Sequence, residues 1–232
     1  MIKFLTAMLM TALLTGGAVA DIEETAAGAT LSGVIVEISE QGVLLDQGEA
    51  GQVLALVDRD TAIEGVEAEL AVGQYALVDY DGKMTRSLPP QVYAQRVSVH
   101  ALRGIVTQMM GASAMVKTDE YGEVQVNLPQ GTILFAGCPV TVYFDGAMTA
   151  SLPAQVSALH LTTPTVTGAV TQANEDYFLI QDQAGEIWRV NLSGETIIDV
   201  QPQAGGQVTV YFSGAATYSL PPQIAAIAVT QG

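Results

Sequence analysis

Apolar and polar residues alternate along most of the chain, and short groups of turn residues interrupt the alternation. A period of two is typical of β-strands with one buried face, whereas an amphipathic helix would repeat every 3.6 residues. In the middle of the chain the pattern predicts strands near residues 104–110, 113–118, 122–128, 138–144 and 147–161, the last broken at Pro153. Five similar strands are predicted near residues 168–173, 177–182, 185–192, 207–212 and 215–229. The pattern therefore predicts an all-β fold.

One sequence pattern occurs three times. The segments GQYALVDYDGKMTRSLPPQVYAQRV, GCPVTVYFDGAMTASLPAQVSALHL and GGQVTVYFSGAATYSLPPQIAAIAV, which begin at Gly73, Gly137 and Gly205, align without a gap. A glycine that opens an upstream apolar strand also recurs, at Gly33, Gly104 and Gly168. The copies are spaced by 64 to 71 residues, which indicates three tandem modules.

The strand lengths within each module favour one architecture. A long first strand, two hairpin-linked strands, a wider connection and a closing hairpin predict three tandem OB-like five-stranded β-barrels. We place them at residues 31–102, 103–163 and 164–232. In the wider connection we expect a short helix after Thr61 in the first module and only a turn before Gly205 in the third. The joints HALRG from His100 and TTPTVTG from Thr162 are short, so we expect limited freedom between modules.

The start of the chain has the pattern of a secretory leader. Residues 1–20 contain Lys3, an apolar run from Phe4 to Leu14 and a terminal Ala-Val-Ala, which predicts cleavage before Asp21. The apolar run is too short to cross a hydrocarbon layer of roughly 30 Å as a helix. The only cysteine is Cys138, so we expect free secretion and not lipid anchoring at the cleavage point. Residues 21–30 are expected to form a flexible acidic arm.

Composition indicates which partners to expect and what stabilises the fold. The formal net charge of −16 at pH 7 repels nucleic acid and anionic membranes, so we expect no nucleic acid partner and no membrane insertion. A single cysteine cannot form an internal disulfide, so the fold must depend on its core.

The first module with its arm carries 14 of the 24 acidic residues. DRDTAIEGVEAE from Asp58 has the composition of a calcium site without its spacing, so we favour a solvated acidic face.

The repeated pattern resembles a known kind of module. A Gly-x-Val opening strand followed by a V-x-V-x-Y-x-G-x-x-T-x-S-x-P-x-Q-[VI] segment resembles small OB-like modules of unknown function in exported and lipid-anchored proteins of Gram-positive bacteria. The resemblance extends over nearly all of the chain after the leader. It implies β-barrels in a bacterial protein outside the cytoplasm, and it brings no catalytic residues with it.

The repeats also help to judge candidate catalytic and metal-binding residues. Asp145 aligns with Asp81 and Ser213, each before a glycine, so we expect turn chemistry there. The Thr-x-Ser-Leu-Pro-x-Gln segment is interpreted as a barrel corner, where the Gln side chain satisfies backbone groups freed by proline. No aligned base accompanies its serines. The unmatched His100 and His160 are expected in a joint and at the surface, and Cys138 is expected to be inert.

Few residues remain as ligand contacts. OB barrels bind mainly on the face of strands two and three, where stacking would require exposed aromatic rings. The alternation places Trp188 toward the core, which leaves Tyr121, Tyr177 and Arg189 as candidate binding residues. We expect no catalytic residue, metal or cofactor.

Two functions fit these features. The first is an exported, non-enzymatic binding or adaptor protein for a glycan, peptide or protein. The alternative is a structural spacer or a self-associating surface protein.

Overall fold

The structure, a computed structural model, describes residues 28–65 and 69–232. It consists of three six-stranded sheets in chain order, which we call modules 1, 2 and 3. Module 1 contains β1 (Ala29–Ser39), β2 (Gly42–Asp46), β3 (Gln52–Leu56), β4 (Ala62–Glu64), β5 (Tyr75–Tyr80) and β6 (Gln91–Ser98). Module 2 contains β7 (His100–Met109), β8 (Ser113–Thr118), β9 (Gly122–Asn127), β10 (Pro139–Phe144), β11 (Ala154–Ser157) and β12 (His160–Thr162). Module 3 contains β13 (Thr165–Ala173), β14 (Tyr177–Asp182), β15 (Ile187–Asn191), β16 (Ile197–Ile198), β17 (Gln207–Phe212) and β18 (Gln223–Gln231).

Strand pairing closes each sheet into the predicted OB-like barrel. In module 1 the antiparallel order β3-β2-β1-β5-β6 is closed by a parallel pairing of β3 with β6. Module 3 is closed in the same way by β15 and β18. In module 2 the last strand is split, so β11 pairs with β9 and β12 pairs with β10. The first strand of each module bends at a register shift, as between Ile35 and Glu37.

Each barrel has its own core, built from the inward residues of the alternating strands. The largest fully buried side chains include Ile35 and Leu45 in module 1, Val116 in module 2, and Phe178 and Ile180 in module 3. Because every second residue points inward, the alternation seen in the sequence directly supplies these cores.

Three local expectations are corrected by the structure. The segment after Thr61 forms the short strand β4, which pairs in parallel with β6, and the described helix is a 3-10 turn at Gly48–Ala50. The joint predicted from His100 is the start of strand β7, because its backbone pairs with β10. The leader and most of the arm lie outside the described residues, while Ala29 and Thr30 already pair in β1.

A cross-strand pair at the same position in modules 2 and 3 contributes to the contacts between modules. This pair is Tyr143 and His160 in module 2, and Tyr211 and Ala228 in module 3. Tyr143 packs into the core of module 1. In the same way, Tyr211 and Ala228 are buried with Cys138 of module 2. Modules 2 and 3 therefore each pack on the barrel before them.

The outer ends of the described stack are polar at the equivalent positions. In module 1 the pair is Asp79 and Arg96, and their side chains form an ion pair at 3.2 Å. At the other end, Gln203 and Gly206 of module 3 are exposed where module 2 has the interface residues Phe135 and Cys138. Polar outer faces are how stacked repeats avoid further stacking.

Candidate functional site

The repeated Thr-x-Ser-Leu-Pro-x-Gln residues form a loop between the last two long strands of each barrel. We call residues 81–90, 145–153 and 213–222 the closing loops. In module 2, Thr149 N–H donates to the Gln155 carbonyl at 3.0 Å, and Gln155 N–H donates to Thr149 Oγ1 at 2.8 Å. Ser151 Oγ bonds to Thr149 Oγ1 at 2.7 Å and donates to the Pro153 carbonyl at 2.8 Å. The same bonds occur in the other two modules.

This network corrects the predicted roles of the motif. The strand predicted over 147–161, with a break at Pro153, begins only at Ala154, because residues 145–153 form a loop. The Thr and Ser hydroxyls satisfy the backbone groups, whereas Gln155 contributes its main chain to the network. Asp145 has the predicted turn role, since its carboxylate accepts the Ala147 N–H at 2.9 Å. Gly146 follows at a φ of 88°, which only glycine adopts readily.

The leucine of each closing loop stands apart from this network. Leu88, Leu152 and Leu220 are 96%, 100% and 96% exposed, respectively. Their side chains therefore contribute nothing to a core, although every other repeated residue of the loop has a visible structural role. A fully exposed leucine at the same place in three modules is a candidate contact for a partner, because no packing within a barrel explains its repetition.

Beside each closing loop, three strands present a row of outward residues that we call the outward strip. Its members are aligned across β2, β3 and β6 or their equivalents by the strand register. The strips are Leu44, Leu54 and Gln91 in module 1; Met115, Gln125 and Gln155 in module 2; and Leu179, Arg189 and Gln223 in module 3. All nine residues are half-buried. The strand positions are the same in the three modules, but the central residue differs: it is leucine in module 1, glutamine in module 2 and arginine in module 3.

Two of the predicted candidates lie together on module 3. Arg189 lies over the ring of Tyr177, with its guanidinium carbon 3.9 Å from the ring centroid. Its Nε donates to Asn191 Oδ1 at 2.9 Å, and Asn191 Nδ2 donates to Gln223 Oε1 at 3.4 Å. The outward strip of module 3 therefore carries one guanidinium held over an aromatic ring.

The third candidate lies elsewhere. Tyr121 is in the β8–β9 turn of module 2, where its N–H donates to Thr118 Oγ1 at 2.9 Å. A hydrogen bond with Glu120 raises the pKa of Tyr121. The strip of module 2 crosses the strands at Met115 and Gln125, whereas Tyr121 lies in the turn beyond Thr118. Tyr121 therefore does not belong to the outward strip.

Both histidines lie between modules, which corrects the expected surface position of His160. The His160 ring stacks on Tyr75 of module 1 with centroids 5.2 Å apart, and burial lowers the pKa of His160. His100 lies between Gly65 of module 1 and the residues Gly146 and Phe144 of its own module. Sequence reasoning missed these contacts because each joins residues of different strands. The signal that could have indicated them is the replacement of Asp79 by Tyr143 and Tyr211 in the aligned repeats.

Two other side chains behave as expected from the sequence. Cys138 is fully buried, and burial raises the pKa of its thiol, so the reactive thiolate is disfavoured. Trp188 packs on the module 3 core and donates from Nε1 to Asp182 Oδ2 at 3.0 Å. That hydrogen bond lowers the pKa of Asp182.

Within residues 28–65 and 69–232, no three His, Cys, Asp or Glu side chains come close enough to hold a metal ion together. None of the helices in the same part of the chain has the length and apolar character needed to span a membrane.

Comparisons with known proteins add two distant structural likenesses. No protein family model and no curated protein matches the chain. A multidomain protein with nucleic acid binding domains from Streptococcus pneumoniae is similar over 85% of this chain and 73% of its own, with 11% identity and a TM-score of 0.22. Drosophila Unr CSD456 is similar over 88% of this chain and 97% of its own, with 9% identity and a TM-score of 0.21. The strand pairing within each sheet, and not these likenesses, identifies the three barrels.

The exclusion of nucleic acid as a partner is corrected by these comparisons. A protein described as having nucleic acid binding domains is among the similar structures, so the expectation that was based on net charge is wrong. Net charge averages over the whole chain, whereas binding depends on one surface. Arg189, which lies over the Tyr177 ring, is one cationic group on such a surface. Oligonucleotides therefore belong in any binding test of this chain.

Proposed function

We propose that the chain is an exported, non-enzymatic binding or adaptor protein. Its OB-like barrels hold a peptide or protein segment across the outward strips and closing loops. The observation that carries this proposal is the repeated, fully exposed leucine of the closing loops, Leu88, Leu152 and Leu220. Export outside a Gram-positive cell is supported by the leader pattern of residues 1–20 and by the resemblance of the repeats.

The polar residues at the two ends of the described stack argue against self-association through those ends. A chain that polymerised end to end would need apolar surfaces at both ends of the stack. Asp79 and Arg96 form an ion pair at one end, and the exposed Gln203 and Gln207 lie at the other. The outward strips remain open along the sides of the barrels, where an extended segment can contact the half-buried side chains.

The leucines provide the test of this function. We expect the full chain to bind members of a random peptide array, and the triple variant L88S/L152S/L220S to lose that binding with an unchanged melting temperature. The matched control R86A/Y218A alters exposed, non-repeated residues of the same loops and should retain binding. Glycan and oligonucleotide arrays are probed in parallel. Binding to either of these alone, or peptide binding that survives the leucine changes, contradicts the proposal.

Export has its own test. Expression of the full gene product in a secreting bacterium should release a protein whose first residue is Asp21. Retention of residues 1–20 on a cell-associated protein contradicts export.

A further inference from the structure

Module 1 has a cleft between the β1–β2 turn and its closing loop. The cleft has a volume of about 490 Å³. Leu44 and Leu54 of the outward strip form its floor, while Glu37, Glu40 and Pro89 line its sides. The apolar surface continues along the strands, where Leu56 lies opposite Tyr93, whose side chain is 70% exposed.

This combination of an apolar floor and acidic sides belongs to module 1. In module 2 the residue equivalent to Leu54 is Gln125, and the β7–β8 turn at residues 110–112 has no carboxylate. In module 3 the equivalent residue is Arg189, whose guanidinium group lies over the Tyr177 ring. The three barrels therefore present different surfaces at equivalent positions. Only the surface of module 1 combines an apolar floor with carboxylates, which suits a partner that carries both apolar and cationic groups.

The carboxylates of this cleft are available to a partner. Glu37 and Glu40 are exposed, and neither takes part in the ion pairs among the described residues, which join Lys83 to Asp81 and Arg96 to Glu64 and Asp79. A Lys or Arg side chain of a partner can cover apolar surface with its methylene groups while its charge meets a carboxylate. Charges at the edge of an interface mainly select the partner, whereas a buried apolar contact supplies affinity.

We propose that this cleft binds an extended cationic peptide. A leucine-sized apolar side chain of the peptide lies on Leu44 and Leu54, and flanking Lys or Arg residues face Glu37 and Glu40. The proposal rests on the proposed binding function and specifies its partner for module 1. Because the equivalent residue in module 2 is Gln125, the barrel should tolerate Leu54→Gln without unfolding.

The test uses the full chain and three labelled probes at 150 mM NaCl. The first probe is the peptide Gly-Ser-Lys-Leu-Lys-Ser-Gly, the second has serine in place of its leucine, and the third is a twelve-residue oligothymidylate. We expect fluorescence anisotropy to show binding of the leucine peptide, with an affinity about tenfold lower for Leu54→Gln, which removes an apolar contact. The double change E37Q/E40Q should weaken binding about fivefold and reduce its salt dependence. Val72→Gln, an exposed change elsewhere in module 1, is the control that should leave binding unchanged.

The outcomes separate this proposal from the broader function. Equal binding of the serine peptide, no effect of Leu54→Gln, or displacement of the peptide by the oligonucleotide overturns the cationic peptide site. If the leucine peptide fails to bind while the array still gives hits that depend on the closing-loop leucines, the site assignment is wrong and the binding function stands. If no array gives a hit that depends on those leucines, both are wrong.

Discussion

Modules 1 and 3 share one fold but differ at two equivalent places. At the interface position, Asp79 and Arg96 of module 1 form an ion pair, whereas Tyr211 and Ala228 of module 3 are buried against module 2. On the outward strip, Leu54 of module 1 corresponds to Arg189 of module 3. The repeated residues build the barrel, and the residues that change decide what each barrel contacts.

The largest expected effect comes from placing the module 1 residue in the interface of module 3. Tyr211→Asp should lower the free energy of unfolding by at least about 3 kcal/mol, because it removes a buried ring and buries a charge. Calorimetry should then resolve separate transitions for module 3 and the other barrels. Tyr218→Asp is the matched control, since Tyr218 is fully exposed and its replacement should cost less than about 0.5 kcal/mol. An equal effect of both changes contradicts the interface role.

The closing loop tests what the modules share. Thr149→Val should cost about 1 to 2 kcal/mol, because the Gln155 N–H loses its acceptor and Ser151 loses a partner. Leu152→Ser in the same loop should change stability by less than about 0.5 kcal/mol, because Leu152 has no packing role. Urea unfolding of the two variants measures the difference. A larger loss for the leucine variant would show that the leucine is structural.

The reverse exchange tests the polar end of module 1. The double change D79Y/R96A gives module 1 the residue pair of module 3, and the loss of exposed ion pairs should cost less than about 1 kcal/mol. The new apolar surface should cause concentration-dependent association in sedimentation velocity experiments. Asp60→Tyr, an exposed change elsewhere in module 1, should leave the sedimentation unchanged. A variant that sediments as the wild type does would show that the ion pair does not prevent association.

A change on module 3 tests the outward strip. Arg189→Leu removes the contact with Tyr177, which should cost less than about 1 kcal/mol. It also creates an apolar floor like that of module 1 beside the acidic turn at Glu175 and Asp176. Titration calorimetry with the Gly-Ser-Lys-Leu-Lys-Ser-Gly peptide should then give two sites per chain in place of one. An unchanged stoichiometry would show that the floor residue alone does not determine binding.

The smallest effect concerns pH at the interface between modules 1 and 2. Burial lowers the pKa of His160 below its ordinary 6.5, so the unfolded chain binds this proton more readily than the folded chain. Above about pH 6.5 the ring is neutral in both states and does not oppose folding. As the pH drops below that value, the unfolded chain takes up the proton first, so the free energy of unfolding falls. His160→Phe keeps a ring on Tyr75, and its melting temperature should fall less between pH 7 and pH 5.5. An identical pH dependence in both proteins contradicts this assignment.

Much of the scaffold could be predicted from the sequence because it is encoded locally. The alternation that buries Phe178 and Ile180, and the turn glycines such as Gly146, are visible in single segments. Three aligned copies then revealed the period and the barrel type. Strand β14 over Tyr177–Asp182 has the bounds that the pattern predicted.

The rest depends on contacts that distant residues make. The stacking of His160 on Tyr75 joins two modules, and the pairing of Arg189 with Tyr177 joins two strands. The full exposure of Leu152 could not be inferred either, because leucine in a strand-rich pattern usually indicates a core position. The segment was predicted as a strand broken at Pro153, and the hydroxyl network around Thr149 instead holds residues 145–153 as a loop.

Hydrogen–deuterium exchange tests most directly the claim that equivalent faces of the barrels differ in what they bind. The chain is exposed to the Gly-Ser-Lys-Leu-Lys-Ser-Gly peptide, and exchange is followed by peptide-resolved mass spectrometry. We predict added protection in residues 37–56 and 85–93 of module 1, and unchanged exchange in residues 177–191 of module 3. Protection of the module 3 strands, or of neither face, would contradict the claim.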